Sequence, residues 1–561
     1  MISMKMKKAA RPAGYSRMAQ GVFAAAPALL CMGVFAFFYF PIRHYLGVGC
    51  PRFACAAWDF VRQIPDLLHG RWSVLDVPMW DGYRHGPGDV YLTIPFVLLM
   101  GHTPAAMLWR EGAVSCLAIL ATHHLGRVLY RDRWAAFMAA LIMTTSPGFV
   151  LYAIFGGTTG MADAALAPAS LYFFLRYADE RKTWLACLGS ASLGLALDCR
   201  STMAAFILGL VVYVGLHHRA AAAFLPPQSA RRWRLLAGCF CSFFVFMLSF
   251  AKTWITQPAE FWSYWTGHFA QREGGIGSNL NYWHNLIQRL HQMSWLLQGR
   301  DYLHIFVENP ERYPSSSQWF LALAASGSGI YAISLYFRRK ALPRRWALPW
   351  VVSIVYLLAS PLSPSALRVI HLFPLVPFFC LAAPSAIALA SSRFRAPVIA
   401  LFLLFAASRV RTEFLFFREF YGEVARAGVW EPNLSAAALN LASWFSRRPE
   451  AIPVVFHGPA YTLSYLSGGK TPVRSFSEAL DLPAPESRKA WDEVLRAKDA
   501  FFVVGADPHD DFDAARGFPA LKLEAARRGL VVNRVDEIDR PDGRPAFTIY
   551  QVGRTLRRSK T

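Results

Sequence analysis

Apolar runs of about 20 residues, the length that crosses a ~30 Å hydrocarbon layer as a helix, recur from Ala19 to Ala407, and short basic clusters separate them. The candidate spans are Ala19–Phe40, Ala106–Gly126, Trp134–Tyr152, Ala162–Tyr177, Trp184–Leu197, Ala204–Leu216, Leu235–Trp254, Trp319–Tyr336, Ala347–Leu362, Val369–Ala390 and Pro397–Ala407, about eleven in all. Composition agrees: 55% of the 561 residues are hydrophobic and 17% charged, which excludes disorder, collagen and coiled coil. The expected class is an α-helical polytopic membrane protein. With 58 Lys and Arg against 36 Asp and Glu, the net charge is +22. In such a chain it reads as basic loops facing anionic lipid. No basic stretch is interleaved with exposed aromatics, so no nucleic-acid partner is expected.

The basic clusters orient the spans. Arg127/Arg131/Arg133, Arg176/Arg181/Lys182, Arg219/Arg231/Arg232/Arg234, Arg338/Arg339/Lys340/Arg344/Arg345 and Arg393/Arg395 fall at every second junction. The positive-inside rule places them in the cytoplasm with the N-terminus. The first apolar run is too long for a signal-peptide core and no small-residue cleavage site follows it, so it reads as an uncleaved span.

Residues 1–414 then form the membrane unit, with outer loops 41–103 and 255–318, and 415–561 form an extracytoplasmic domain. In that last stretch Ala451–Phe456, Ala500–Gly505 and Ala546–Val552 read as strands, and Ser487–Ala497 and Ala514–Arg528 as amphipathic helices, the alternation of a small α/β fold. Cys50 and Cys55 lie in the first outer loop, where a bridge is chemically open to them.

Ionisable residues at membrane depth line cavities and pair with one another. Asp59, Asp163, Asp198, Arg200, Lys252 and Arg368 fall at outward span ends. Asp59 and Arg62 are three apart and share a helical face, so an exposed ion pair is the plain alternative to a site. Asp163 opens a span, where a helix cap explains it equally. Arg84-His85-Gly86-Pro87 follows in a Gly- and Pro-rich loop. His509, alone in an acidic turn, marks no metal site, and no zinc spacing occurs. A divalent metal remains compatible with the chain. Neither Gly-x-Ser-x-Gly nor His-Glu-x-x-His is present, so a serine or zinc hydrolase has no anchor.

In order along the chain stand an Asp after the first span, the basic-Pro element Arg84-His85-Gly86-Pro87, Ala162-Asp163-Ala164-Ala165-Leu166, Gly194-Leu-Ala-Leu-Asp198-Cys199-Arg200, Glu260-Phe-Trp-Ser-Tyr-Trp-Thr-Gly-His268-Phe-Ala-Gln-Arg272 and Arg368-Val-Ile-His371-Leu-Phe-Pro374. This colinear set resembles the GT-C glycosyltransferases that take sugar from a polyprenyl-phosphate carrier, the protein O-mannosyltransferase clan and the bacterial lipid A aminoarabinose transferases. Three positions depart from that pattern: Phe60 follows Asp59 in place of an acidic residue, His85 stands for the commoner Lys, and Gly88 replaces a second Pro.

The resemblance implies an inverting hexosyl- or pentosyltransferase of the cell inner membrane, with a lipid, glycan or protein acceptor on the outer face. Asp59 is its catalytic base. Asp163 orients the acceptor or partners a basic residue. His85, Arg200, His268 and Arg272 hold the carrier phosphate, with Arg62, Arg84 and Arg368 as further candidates. A transporter or flippase of a lipid-linked saccharide is the alternative. It accounts for the spans but not for the large outer loops or the α/β segment, and no internal repeat is visible.

Overall fold

The computed structural model describes residues 17–44, 88–101, 103–155, 160–200, 202–217, 229–248, 281–298, 344–362, 369–429, 435–455, 459–467, 470–476, 484–505 and 517–553, with a few single positions besides. The helices of the first part are α1 (Arg17–Tyr39), α2 (Gly88–Met100), α3 (Pro104–Tyr130), α4 (Arg133–Thr144), α5 (Pro147–Phe155), α6 (Gly160–Glu180), α7 (Thr183–Cys199), α8 (Met203–Leu216), α9 (Ser229–Phe244), α10 (Tyr282–Gln298), α11 (Leu348–Ala359), α12 (Val376–Ala382), α13 (Ser385–Leu389) and α14 (Ser392–Ala427). Among the described residues three helical stretches are long and apolar enough to cross a membrane, Pro104–Tyr130, Arg345–Leu362 and His371–Leu389, and a bent pair makes a fourth.

Several expected spans take a different form. Trp134–Tyr152 is two helices, α4 and α5, bent by 55°. Pro147 cannot donate to the helical ladder and disfavours α geometry at Ser146 before it. Val369–Ala390 is a 3-10 turn (Val369–Leu375) followed by α12 and α13, broken where Pro374 and Pro384 stand. The short apolar run at Pro397–Ala407 is the middle of a 36-residue helix, so the division placed at 414/415 falls inside α14. Helix α2 lies in what reads as the first outer loop. At 13 residues, with Gly88 and Pro95 in it, it carries no span signal. The expected span Trp319–Tyr336 lies outside the described residues apart from Gly329.

Basic junctions meet at one end of this bundle. Arg131 and Arg345 lie 4.0 and 3.8 Å from Asp179, and Arg395 bridges Asp132 at 2.6 Å. Asp132 also caps α4, accepting from the backbone N–H groups of Trp134 and Ala135, which satisfies donors a helix start leaves open. Junctions far apart in sequence thus share an end, as the alternation of basic clusters requires.

The remainder builds a sheet layer: α15 (Ala437–Ser446), β1 (Ile452–Val455), α16 (Pro459–Leu466), β2 (Arg474–Ser475), α17 (Ala484–Arg496), β3 (Ala500–Gly505), α18 (Phe518–Arg527), β4 (Val531–Asp539) and β5 (Pro545–Gly553). The strand order is β2-β1-β3-β5-β4, parallel across β2, β1 and β3 and antiparallel at β5 and β4. Apolar faces of β1, β3 and β5 pack under α15 on one side and α17 and α18 on the other. Strands β1, β3 and β5 match the expected runs. Strand β4 was missed because it is the edge, mostly exposed and polar. The Tyr465 hydroxyl donates to the carbonyls of Gly101 and Thr103 at 3.0 and 3.2 Å, docking the sheet layer on the α2–α3 turn.

Candidate functional site

At the end of the bundle opposite the basic junctions, charged side chains from several helices are buried together. Asp163 lies in the first turn of α6, where the helix dipole favours an anion. Arg200 caps α7 in extended backbone geometry, its N–H donating to the Ala196 carbonyl. Its Nε lies 3.5 Å from Asp163 Oδ2, and both side chains are essentially inaccessible. Among the described residues neither Asp163 oxygen accepts a hydrogen bond.

The other face of Arg200 meets the 3-10 turn, with Nη1 3.4 Å from His371 Nδ1. The Tyr356 hydroxyl of α11 donates to the His371 carbonyl at 2.5 Å, and Phe373 stacks on Tyr152 of α5 at 3.8 Å. Below the turn, α10 contributes buried Arg289, which donates to Gln292 Oε1 at 2.8 Å.

Beside this set sits a second buried group. Arg110 of α3 is ion-paired with Asp89, in the first turn of α2, and with its own neighbour Glu111. Two carboxylates against one guanidinium leave Asp89 Oδ2 and Glu111 Oε2 without a hydrogen-bond partner among the described residues. The two groups touch through Gly88. A Cβ there would stand 2.7 Å from Cys199 Sγ and 2.8 Å from the Cys199 backbone nitrogen. Only glycine lets the start of α2 close on the end of α7, which brings Asp89 within electrostatic reach of Arg200.

Of the residues singled out in the sequence, Asp163 and Arg200 are thus brought together, as partners. Asp59, Arg62, Arg84, His85, His268, Arg272 and Arg368 lie outside the described residues, as do Cys50, Cys55, Lys252 and His509. Asp89, Arg110, Glu111 and Arg289 were not anticipated, and His371 was noted only as a neighbour of Arg368. Adjacent opposite charges, Arg110-Glu111, inside an apolar run were the available signal, since isolated charge at that depth is costly. Among the described residues no group of three or more His, Cys, Asp and Glu is placed to hold a metal.

The arrangement offers buried carboxylates next to guanidinium groups where water is scarce. Cations in such a site hold an anionic phosphate strongly, and a carboxylate there can accept or fix a proton.

Known structures place this architecture. ArnT from Cupriavidus metallidurans bound to undecaprenyl phosphate superposes with a TM-score of 0.58 at 13% identity, over 95% of this chain and 98% of that one. Its apo form gives 0.55 at 16% identity over the same shares. The oligosaccharyltransferase AglB from Archaeoglobus fulgidus, in complex with an inhibitory peptide and a dolichol-phosphate, gives 0.50 at 12% identity over 87% and 70%. At these identities the likeness is one of fold. Residues 84–250 match the dolichyl-phosphate-mannose-protein mannosyltransferase family. The chain thus shares the GT-C fold of these structures, and a segment of less than a third of its length resembles the mannosyltransferase family. The segment carries Asp89, Arg110, Glu111, Asp163, Asp198 and Arg200, the greater part of the buried site. No curated protein sequence matches the chain.

Proposed function

We propose that the protein transfers a sugar from a polyprenyl-phosphate carrier, with inversion at the anomeric carbon, to a lipid, glycan or protein acceptor on the extracytoplasmic face of the inner membrane. The observation that carries this reading is the buried Asp163–Arg200–His371 constellation within a GT-C fold. Relatives in complex with undecaprenyl phosphate and dolichol-phosphate support the donor class.

In the reaction the acceptor oxygen bonds to the anomeric carbon while the bond from that carbon to the phosphate oxygen breaks. The acceptor proton passes to Asp59, and the carrier phosphate departs with the electron pair. Arg200 supplies positive charge for that phosphate, together with His85, His268 and Arg272. Arg62, Arg84 and Arg368 are further candidates for the same role. Asp163 holds the Arg200 guanidinium in place.

The test supplies membranes containing the protein with radiolabelled polyprenyl-phosphate sugars. Label is expected to enter a lipid, glycan or protein fraction, and Arg200→Met is expected to abolish its entry. Movement of intact labelled carrier across the membrane without transfer would favour the flippase reading and overturn this one.

A further inference from the structure

Away from the site, α1, α4 and α14 enclose an open groove of about 900 Å³ whose lining is almost wholly apolar, with Leu30, Gly33, Phe37 and Leu403 along it. One charged side chain lines it, Arg411. Leu29 to Phe38 mark its length on α1, ten residues whose nine rises of 1.5 Å span about 13–14 Å. That is close to half of a ~30 Å hydrocarbon layer, the depth of one leaflet.

The groove opens between exposed side chains, Leu29, Leu30 and Phe37 of α1 and Leu403 and Phe414 of α14. Two turns along the same face of α14 from Arg411 stands Arg418, also exposed. Among the described residues neither arginine enters an ion pair, although acidic residues stand nearby on the same helix. One cation lining an acyl-length apolar groove and a second two turns beyond it complement a lipid with a negative headgroup.

We propose that this groove is a binding site for an anionic phospholipid of the bilayer, its acyl chain between α1 and α14 and its phosphate at Arg411 and Arg418. It is separate from the buried carboxylate–arginine site, and it stands whether or not the proposed transfer reaction does. Gly33 faces the open space of the groove, since a Cβ added there meets nothing within 4 Å. A larger side chain at Gly33 therefore occupies the lipid's space without striking the protein.

The experiment uses the full-length protein, delipidated in detergent and titrated with dioleoyl phosphatidylglycerol or dioleoyl phosphatidylcholine. Native mass spectrometry counts the retained lipids, and thermal unfolding gives the accompanying stabilisation. Phosphatidylglycerol is expected to be preferred, by roughly fivefold for each arginine near the headgroup. Arg411→Gln is expected to remove one such factor, and Arg411→Gln with Arg418→Gln both. Gly33→Phe is expected to lose retention of either lipid with the fold intact by circular dichroism. Equal retention of the two lipids by the wild-type protein, or an unchanged preference in the double variant, would overturn the proposal. So would undecaprenyl phosphate displacing phosphatidylglycerol from the wild-type protein at equal concentration.

Discussion

Arg200 Nε sits 3.5 Å from a carboxylate that accepts no hydrogen bond among the described residues, so removing Arg200 strands Asp163. A buried pair broken from one side costs about 3–5 kcal/mol, because the remaining charge has no compensation. Arg200→Met is therefore expected to lower the unfolding midpoint more than Asp163→Asn, which leaves a neutral amide. The double variant should recover part of the loss, with a coupling of about 1–3 kcal/mol in a double-mutant cycle followed by unfolding in detergent. Additive losses would mean that the two side chains do not act as a pair. The proposed general base, Asp59, is expected to behave differently. Asp59→Asn should lose about two to four orders of magnitude in label transfer, with donor affinity nearly unchanged, and Asp163→Asn should lose less. Near wild-type transfer by Asp59→Asn at matched protein levels would move the base elsewhere, with Asp163 the next candidate.

Helix ends, more than helix middles, assemble the site. The starts of α2 and α6 and the end of α7 meet there, and Gly88 sets how closely the first approaches the last. In Gly88→Ala the new methyl group has backbone on one side, the Cys199 nitrogen at 2.8 Å, which cannot rotate away as a side chain would. The start of α2 must then shift, moving Asp89 from Arg110. A loss of transfer activity of about tenfold or more is expected with the protein still folded, in line with the cost of a displacement near 1 Å at a positioned site. Unchanged turnover in Gly88→Ala would show that the α2–α7 contact does not position the reacting groups. Breaks in the spans have equally local causes. Arg409 of α14 donates to the Thr145 carbonyl at the bend between α4 and α5, with Nε at 3.2 Å, and so satisfies an acceptor that the end of α4 leaves open.

For the whole molecule, the parity of the spans and the docking of the sheet layer make two predictions. With basic junctions at one end and the sheet layer tied to the α2–α3 turn at the other, the C-terminus is expected outside the cytoplasm. A periplasm-active reporter fused after Thr561 should be active and a cytoplasm-active one silent, and the reverse would give the span count the wrong parity. Within the sheet layer, Asp536 accepts from the Glu537 backbone N–H at 2.9 Å and from the Trp444 indole N–H at 2.7 Å. The backbone donor first and the indole second hold its carboxyl below the usual carboxylate range. A depressed folded value stabilises the layer above the ordinary value of about 3.9, and that contribution is lost as pH falls through the lower folded value. Trp444 fluorescence should accordingly report loosening of α15 against β4 below about pH 4, and Asp536→Asn should remove that step. Persistence of the step in Asp536→Asn would assign it to another carboxylate.

Helix class, the periodicity of most spans and three of the five strands follow from local pattern. In lipid a backbone must satisfy its own hydrogen bonds, so an apolar run of spanning length has few alternatives to a helix. A buried strand likewise shows as a short apolar run. Asp163 and Arg200 were legible for a related reason, since charge beside an apolar run is conspicuous. That Asp163 partners a basic residue was one of the alternatives, but that Arg200 is that residue was not legible, nor was the convergence of Asp89, Arg110, Glu111, Arg289 and His371 about them. A buried charge depends on partners from other helices, Arg200 meeting Asp163 on one side and His371 on the other, and that depends on how the helices pack. The exposed edge strand β4 was hidden for the opposite reason. Its place comes from pairing with β5 rather than from burial of its own side chains, so only the assembled sheet shows it to be a strand.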